Sequence, residues 1–218
     1  MAVGTAKLEG ETALVAGGTR NIGLAIAQAL HAAGANVCVV GGSDPEALAS
    51  ALTELGADNS KTTGLLADIT DEAAVTGAFE HAGQKFGAVS ILVNGPGYRP
   101  HGPFMDIDLA TWNSVLNIML TGPFLTCREF FRRMPTNRKG AIVNIGGLSA
   151  HRPAKDRAHV IAAKAGIVGL TKALAAEGIP CASGYRPLYL EPAFQARFHD
   201  YPLDSPAFGG RPDYRRVH

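Results

Sequence analysis

The run Ala16-Gly17-Gly18-Thr19-Arg20-Asn21-Ile22-Gly23 puts three glycines, a hydroxyl, a cation and an amide within eight residues. Glycines let a backbone turn sharply and approach a ligand closely. Placed where a strand hands over to a helix, such a run cradles a pyrophosphate at the positive end of the helix. Structural tight turns use the same residues, so the run alone leaves both uses open. The next apolar run ends in Val40-Gly41-Gly42-Ser43, with no acid where a carboxylate would hold the 2′-hydroxyl of NAD. Should a dinucleotide sit there, Arg20 in the glycine turn and Ser43 at the strand end favour NADP(H), and Asp44, just downstream, keeps NAD(H) possible.

These residues need a frame that brings strand ends together. Thr12 to Ala16, Asn36 to Val40, Thr62 to Ala67, Val89 to Val93 and Ala141 to Ile145 are continuous apolar stretches of strand length, as expected of parallel strands covered on both faces. Between them, Ile22 to Ala33, Pro45 to Leu55, Asp71 to Phe86, Leu109 to Met134 and Asp156 to Ala176 have helical spacing or composition. Strand and helix alternate throughout, which predicts an α/β fold: a doubly wound parallel sheet in three αβα layers, Rossmann-like, with right-handed crossovers. Pro123, inside the longest helical stretch, removes one backbone hydrogen bond and predicts a kink after Gly122.

The 218 residues suit one domain with a short appendage. Hydrophobic content of 46% with 18% charge excludes a disordered chain, and a net charge of +1 offers no broad footprint for nucleic acid or an anionic membrane. No metal-ligand spacing links Cys38, Cys127 and Cys181, so free thiols in a reducing compartment are expected. No basic leader followed by an apolar run opens the chain, and no stretch of about 18 apolar residues occurs. A soluble, cytoplasmic protein is the expectation. From about Gly178 to His218, prolines and aromatics interleave without periodicity, so the division is 1–177 for the nucleotide-binding domain and 178–218 for an irregular tail.

Over roughly residues 8 to 177 the sequence resembles the classical short-chain dehydrogenase/reductases, close to their ketoacyl-reductase-like members. The glycine run matches T-G-x-x-x-G-x-G with Ala16 for Thr and Asn21 for the second Gly, and Asn tolerates left-handed backbone angles. Ala67-Asp68-Ile69 is similar to the segment whose acid contacts the adenine, and Asn94-Gly95-Pro96-Gly97 to a degraded N-N-A-G. Without a ligand, Asp68 reads as a helix cap and Asn94 as a strand-end turn.

The resemblance implies a Tyr as proton donor, a Lys four residues later that holds the nicotinamide ribose, a Ser thirteen residues before the Tyr, and an Asn in the long helix. Lys164 matches the Lys; the Tyr position is Val160, the Ser position Gly147 and the Asn position Met119. None of these three replacements can pass a proton through its side chain. Nearby substitutes are His159, Ser149, His151 and Tyr98. His159 has a suitable ordinary pKa near 6.5 but lies about 100° around the helix from the Tyr position, and a surface or interface histidine is the alternative for it.

The family's sixth and seventh strands find no clear counterpart after Glu177; Pro187 interrupts the faint echo Gly184 to Ala193. Missing or replaced C-terminal strands would leave the fifth strand's edge exposed. A reading-frame change is one way to produce such a non-homologous tail. The resemblance implies hydride transfer between a nicotinamide and a small carbonyl or secondary alcohol. It also implies a homo-oligomer built on helices 109–134 and 156–176. A catalytically silent nucleotide-binding or scaffold protein, and a truncated product, stand as alternatives.

Overall fold

A computed structural model of the chain describes residues 8–56, 60–134, 140–150 and 154–177. The tail 178–218, with Cys181 and the expected substitution of the last strands, lies outside the described residues, as does His151. The apolar runs form β1 (Thr12–Ala16), β2 (Asn36–Gly41), β3 (Thr62–Leu66), β4 (Ile91–Asn94) and β5 (Ala141–Asn144). They pair in parallel in the order β3-β2-β1-β4-β5, which makes the doubly wound sheet expected from the alternation. The order reverses beside β1, which makes the carboxyl ends of β1 and β4 the switch point at which ligands bind sheets of this kind.

The helices are α1 (Asn21–Ala32), α2 (Pro45–Glu54), α3 (Glu72–Phe86), α4 (Leu109–Leu116), α5 (Gly122–Arg133) and α6 (Ala158–Ala176). Alternate strand residues face opposite layers. Leu14, Cys38, Val40, Leu92 and Ile142 pack with Val75, Phe79, Leu125 and Phe130 of α3 and α5. Val15, Val37, Val39 and Val93 pack with Leu24 and Ala27 of α1, Ala51 of α2 and Leu55 just after it. Burial of the central strand is complete, since every residue of β1 is inside.

The kink expected after Gly122 falls elsewhere. The stretch 109–134 is two α-helices joined by a π-helical turn, Asn117–Thr121, and the irregularity precedes Gly122 rather than following it. Pro123 falls at the start of α5, where its missing N–H costs little, and the wide turn ahead of it accommodates the ring.

Capping divides the helices into two groups. Asp44, Asp71 and Asp108 accept backbone N–H bonds from Ala47 (2.9 Å), Ala73 (2.9 Å) and Thr111 (2.6 Å) at the starts of α2, α3 and α4. The starts of α1, α5 and α6 have neither a side-chain cap nor an acid in the first turn, α5 because it continues directly from the π turn. By length and composition α6 could cross a membrane, yet it buries His159 and Lys164 within the domain.

Candidate functional site

The turn from β1 into α1 is held open by backbone geometry. Gly17 has φ +75° and Asn21 φ +49°, so Asn21 adopts the left-handed angle that its place in the motif demands. A Cβ on Gly23 would lie 2.0 Å from the Gly17 carbonyl oxygen, and one on Gly17 2.9 Å from the Gly95 carbonyl. Glycine is therefore required where α1 crosses the turn and where the β1 and β4 loops meet. The amides of Gly17 and Gly18 are anchored to the Val40 carbonyl (2.9 and 3.3 Å), and Gly95 N–H donates to the Ala16 carbonyl (2.9 Å). Ile22 is exposed at the helix start, and Thr19 lays its methyl beside Gly41.

Arg20 and Asp44 form an ion pair across the ends of α1 and β2, with Ser43 exposed beside Asp44. The cation that suggested a 2′-phosphate and the acid that suggested a 2′-hydroxyl thus hold each other. Asp44's carboxyl lies below its usual range, first because Ala47 N–H bonds it and then because Arg20 stands beside it.

Asp68 is exposed and turns back on Thr70, accepting from its N–H at 2.9 Å and its hydroxyl at 2.8 Å. It is not the cap of α3; Asp71 is. Ile69 packs against Gly122, where a Cβ would meet its Cδ1 at 2.7 Å. Asn94 is buried, and its side chain is committed within the domain: it accepts from the Thr126 hydroxyl (2.7 Å) and donates to Asn144 Oδ1 (2.9 Å) and Cys127 Sγ (3.3 Å). Asn144 passes the chain on to the Thr171 hydroxyl (3.0 Å), which donates to the Ile167 carbonyl (2.8 Å). The family pattern suggests Asn94 as a cofactor contact; its side chain ties α5, β4, β5 and α6 together and so fixes the strand end that carries Gly95. Asn144 escapes the motif reading, although it is legible as the one amide in the apolar run Ala141 to Ile145.

Lys164 is 8% exposed and donates from Nζ to the Ile145 carbonyl at 2.5 Å. No carboxylate among the described residues pairs with it. Burial, helped by the nearby Arg99 guanidinium, pulls its pKa down to about 8. Arg99, in the loop after β4, also escapes the motif reading; only its place at a strand's carboxyl end could have flagged it. The point where a Cβ on Gly147 would stand is 3.3 Å from Ser149 Oγ and 3.5 Å from Lys164 Cγ. Ser149, in a 3₁₀ turn at Leu148–Ala150, therefore brings a hydroxyl to the side of the position from which serine is missing.

Met119 and Val160 are each 1% exposed and share a cluster with Val115 and Ala163. The Asn and Tyr positions are thus replaced together, by side chains that pack in one cluster. His159 is 1% exposed with Nδ1 unpartnered, and among the described residues no hydrogen bond joins it to Lys164 or Ser149. It is neither a surface histidine nor a partner of the lysine. Tyr98 is 42% exposed in the loop after β4. In the same region His101 contacts the Arg157 guanidinium. Beyond the loop, Phe104, Ile107, Leu109 and Trp112 line an open apolar groove of about 340 Å³.

An uncapped helix start over a cradle that any Cβ would fill suits a dinucleotide's pyrophosphate. The family comparison decides the lineage: residues 11–181 match the short chain dehydrogenase family. The chain belongs to the short-chain dehydrogenases. It is 37% identical over 173 residues to a D-threitol dehydrogenase of Mycolicibacterium smegmatis, covering 78% of this chain and 65% of that one. To the 3-oxoacyl-(acyl-carrier-protein) reductases FabG of Aquifex aeolicus and Escherichia coli it is 35% and 36% identical, covering 80% and 78% of this chain and 70% and 68% of theirs. It thus spans about two thirds of the length of these relatives. Among solved structures, a Bacillus anthracis short-chain dehydrogenase superposes with a TM-score of 0.74 at 28% identity, over 78% of this chain and 73% of that one. A Serratia marcescens short-chain dehydrogenase/reductase does so at 0.73 and 30%, over 78% and 69%. In this member of the family, Lys164 keeps its place while the family's proton-donating side chain does not.

Proposed function

We propose that this short-chain dehydrogenase binds NADP(H) in preference to NAD(H) and interconverts a small carbonyl compound and its secondary alcohol. The observation that carries the reading is the start of α1: a left-handed Asn21, an uncapped helix end and glycines packed too closely for any Cβ. Gly17, Thr19, Asn21, Ile22 and Gly23 hold the phosphates, Ser43 the 2′ position with Arg20 once it exchanges Asp44 for a 2′-phosphate, Asp68 with Ile69 the adenine side, and Gly95 with Lys164 the nicotinamide half. When bound, the nicotinamide supplies or accepts a hydride. Val160, Gly147 and Met119 offer no proton to the oxygen; the ammonium form of Lys164, with the Ser149 hydroxyl at its side, supplies it. The relatives' names, a threitol dehydrogenase and an oxoacyl reductase, fit the same alcohol–carbonyl chemistry. A homo-oligomer through α4–α5 and α6 completes the proposal.

A second reading is favoured by the apolar cluster that holds Met119 and Val160: a nucleotide-binding protein without turnover. Thermal unfolding with each cofactor, followed by turnover on a carbonyl panel, decides. Ligand at about 100 times its Kd adds roughly 2.7 kcal/mol, a rise of about 5–10 °C for a domain of this size. A larger rise with NADPH and turnover lost in Lys164→Ala supports the enzyme. A rise without turnover supports the second reading, and no rise with either cofactor overturns both.

A further inference from the structure

Three features converge on Lys164 that the cofactor reading does not use. Its amine is buried with no counter-charge among the described residues, it lies under the influence of a second cation, Arg99, and its stem runs beside the bare backbone of Gly147. Gly146 and Gly147 are exposed, and a Cβ on Gly146 would meet nothing within 4 Å, so the backbone beside the lysine's stem is open. Burial without a carboxylate, next to another positive charge, favours a neutral amine. With one N–H donated to the Ile145 carbonyl, a neutral amine keeps its lone pair. The Ser149 hydroxyl stands within reach of whatever occupies the space beside Gly147.

We propose that Lys164 is a nucleophilic amine that forms an imine with small aldehydes and ketones, carboxylate-bearing ones above all because Arg99 is at hand. The Nζ lone pair attacks the carbonyl carbon, forming the C–N bond as the π electrons pass to oxygen. The nitrogen gives up two protons, and the oxygen departs with them as water. No oxidant or reductant enters. The activity belongs to the cofactor-free protein and does not depend on the cofactor reading, since a ribose held by Lys164 would exclude it.

The test is reductive trapping of the full chain with glyoxylate and cyanoborohydride at pH 7.5, read by peptide mass spectrometry. Lys172, exposed on the same helix, is the internal control. Lys164 should become carboxymethylated at least about tenfold faster than Lys172, and Arg99→Gln should shrink that ratio while leaving the Lys172 rate unchanged. Labelling of Lys164 no faster than Lys172 overturns the proposal, as does a ratio indifferent to Arg99→Gln. The two proposals fail separately. Fast Lys164 labelling in a protein whose melting NADPH leaves unshifted removes only the cofactor reading; slow labelling with a clear NADPH shift removes only the nucleophile.

Discussion

Lys164 ties pH to stability through a single side chain. Its folded pKa of about 8 lies below the ordinary 10.5, so between these values the unfolded chain binds more protons than the folded one. Stability therefore rises with pH from about 8 to 10.5, and below 8 the lysine costs the fold its full share, about 3 kcal/mol. Lys164→Met is expected to raise the melting temperature at pH 7 and to flatten the rise between pH 8 and 10; an unchanged slope would locate the titration elsewhere. Asn21 makes a separate case. At φ +49° a Cβ-bearing residue without a short polar side chain strains the turn, so Asn21→Ala should cost about 1 kcal/mol and Asn21→Gly almost nothing. Denaturant midpoints of the two variants check this. The angle was legible in the sequence, because Asn is the side chain best able to stand in for glycine where the backbone turns left-handed. The mutual neutralisation of Arg20 and Asp44 was not, since a salt bridge between two loops depends on strand spacing rather than on local pattern.

At the scale of elements, the helices are joined by two polar systems of different character. Glu129 is buried on α5 and accepts from Arg133 (2.5 Å), with Arg132 at 3.7 Å; Arg133 also reaches Glu80 on α3, and Glu72 holds Arg128 and Arg132. These bonds raise the Arg133 pKa, the one to Glu129 first. Because Arg133 is partly exposed, Glu129→Gln should cost only about 1–2 kcal/mol. The Asn94–Asn144 system is neutral and buried at its Asn94 end, so truncating Asn144 takes an acceptor from the buried Asn94 amide. Asn144→Ala is expected to cost about 2–3 kcal/mol, more than the charged variant, by chemical denaturation. Strand and helix positions were legible within a few residues because apolar runs and helical spacing are local properties. The π turn was not, since its five residues Asn117 to Thr121 carry no pattern of their own; Pro123 announced a defect without saying on which side it would fall.

For the whole molecule, β5 is one of the sheet's two edges among the described residues, and Val143 on it is 47% exposed. Unpaired edges recruit other chains. Val143→Lys should lower light scattering of the concentrated protein during heating while leaving the NADPH-induced shift intact; scattering unchanged by the lysine would mean that association runs through another surface. Cys38, pushed up to about 12 by burial, and Cys127, inside the Asn94 network, are both buried and outside any disulfide. The single tryptophan of the sequence is Trp112, on α4 in the apolar groove with Phe104 and Ile107. The chain thus carries its own fluorophore beside the loop that leaves β4. Emission excited at the indole band comes from this one place, so spectral shifts or quenching on titration with a carbonyl compound report that loop without labels and without other tryptophans to remove.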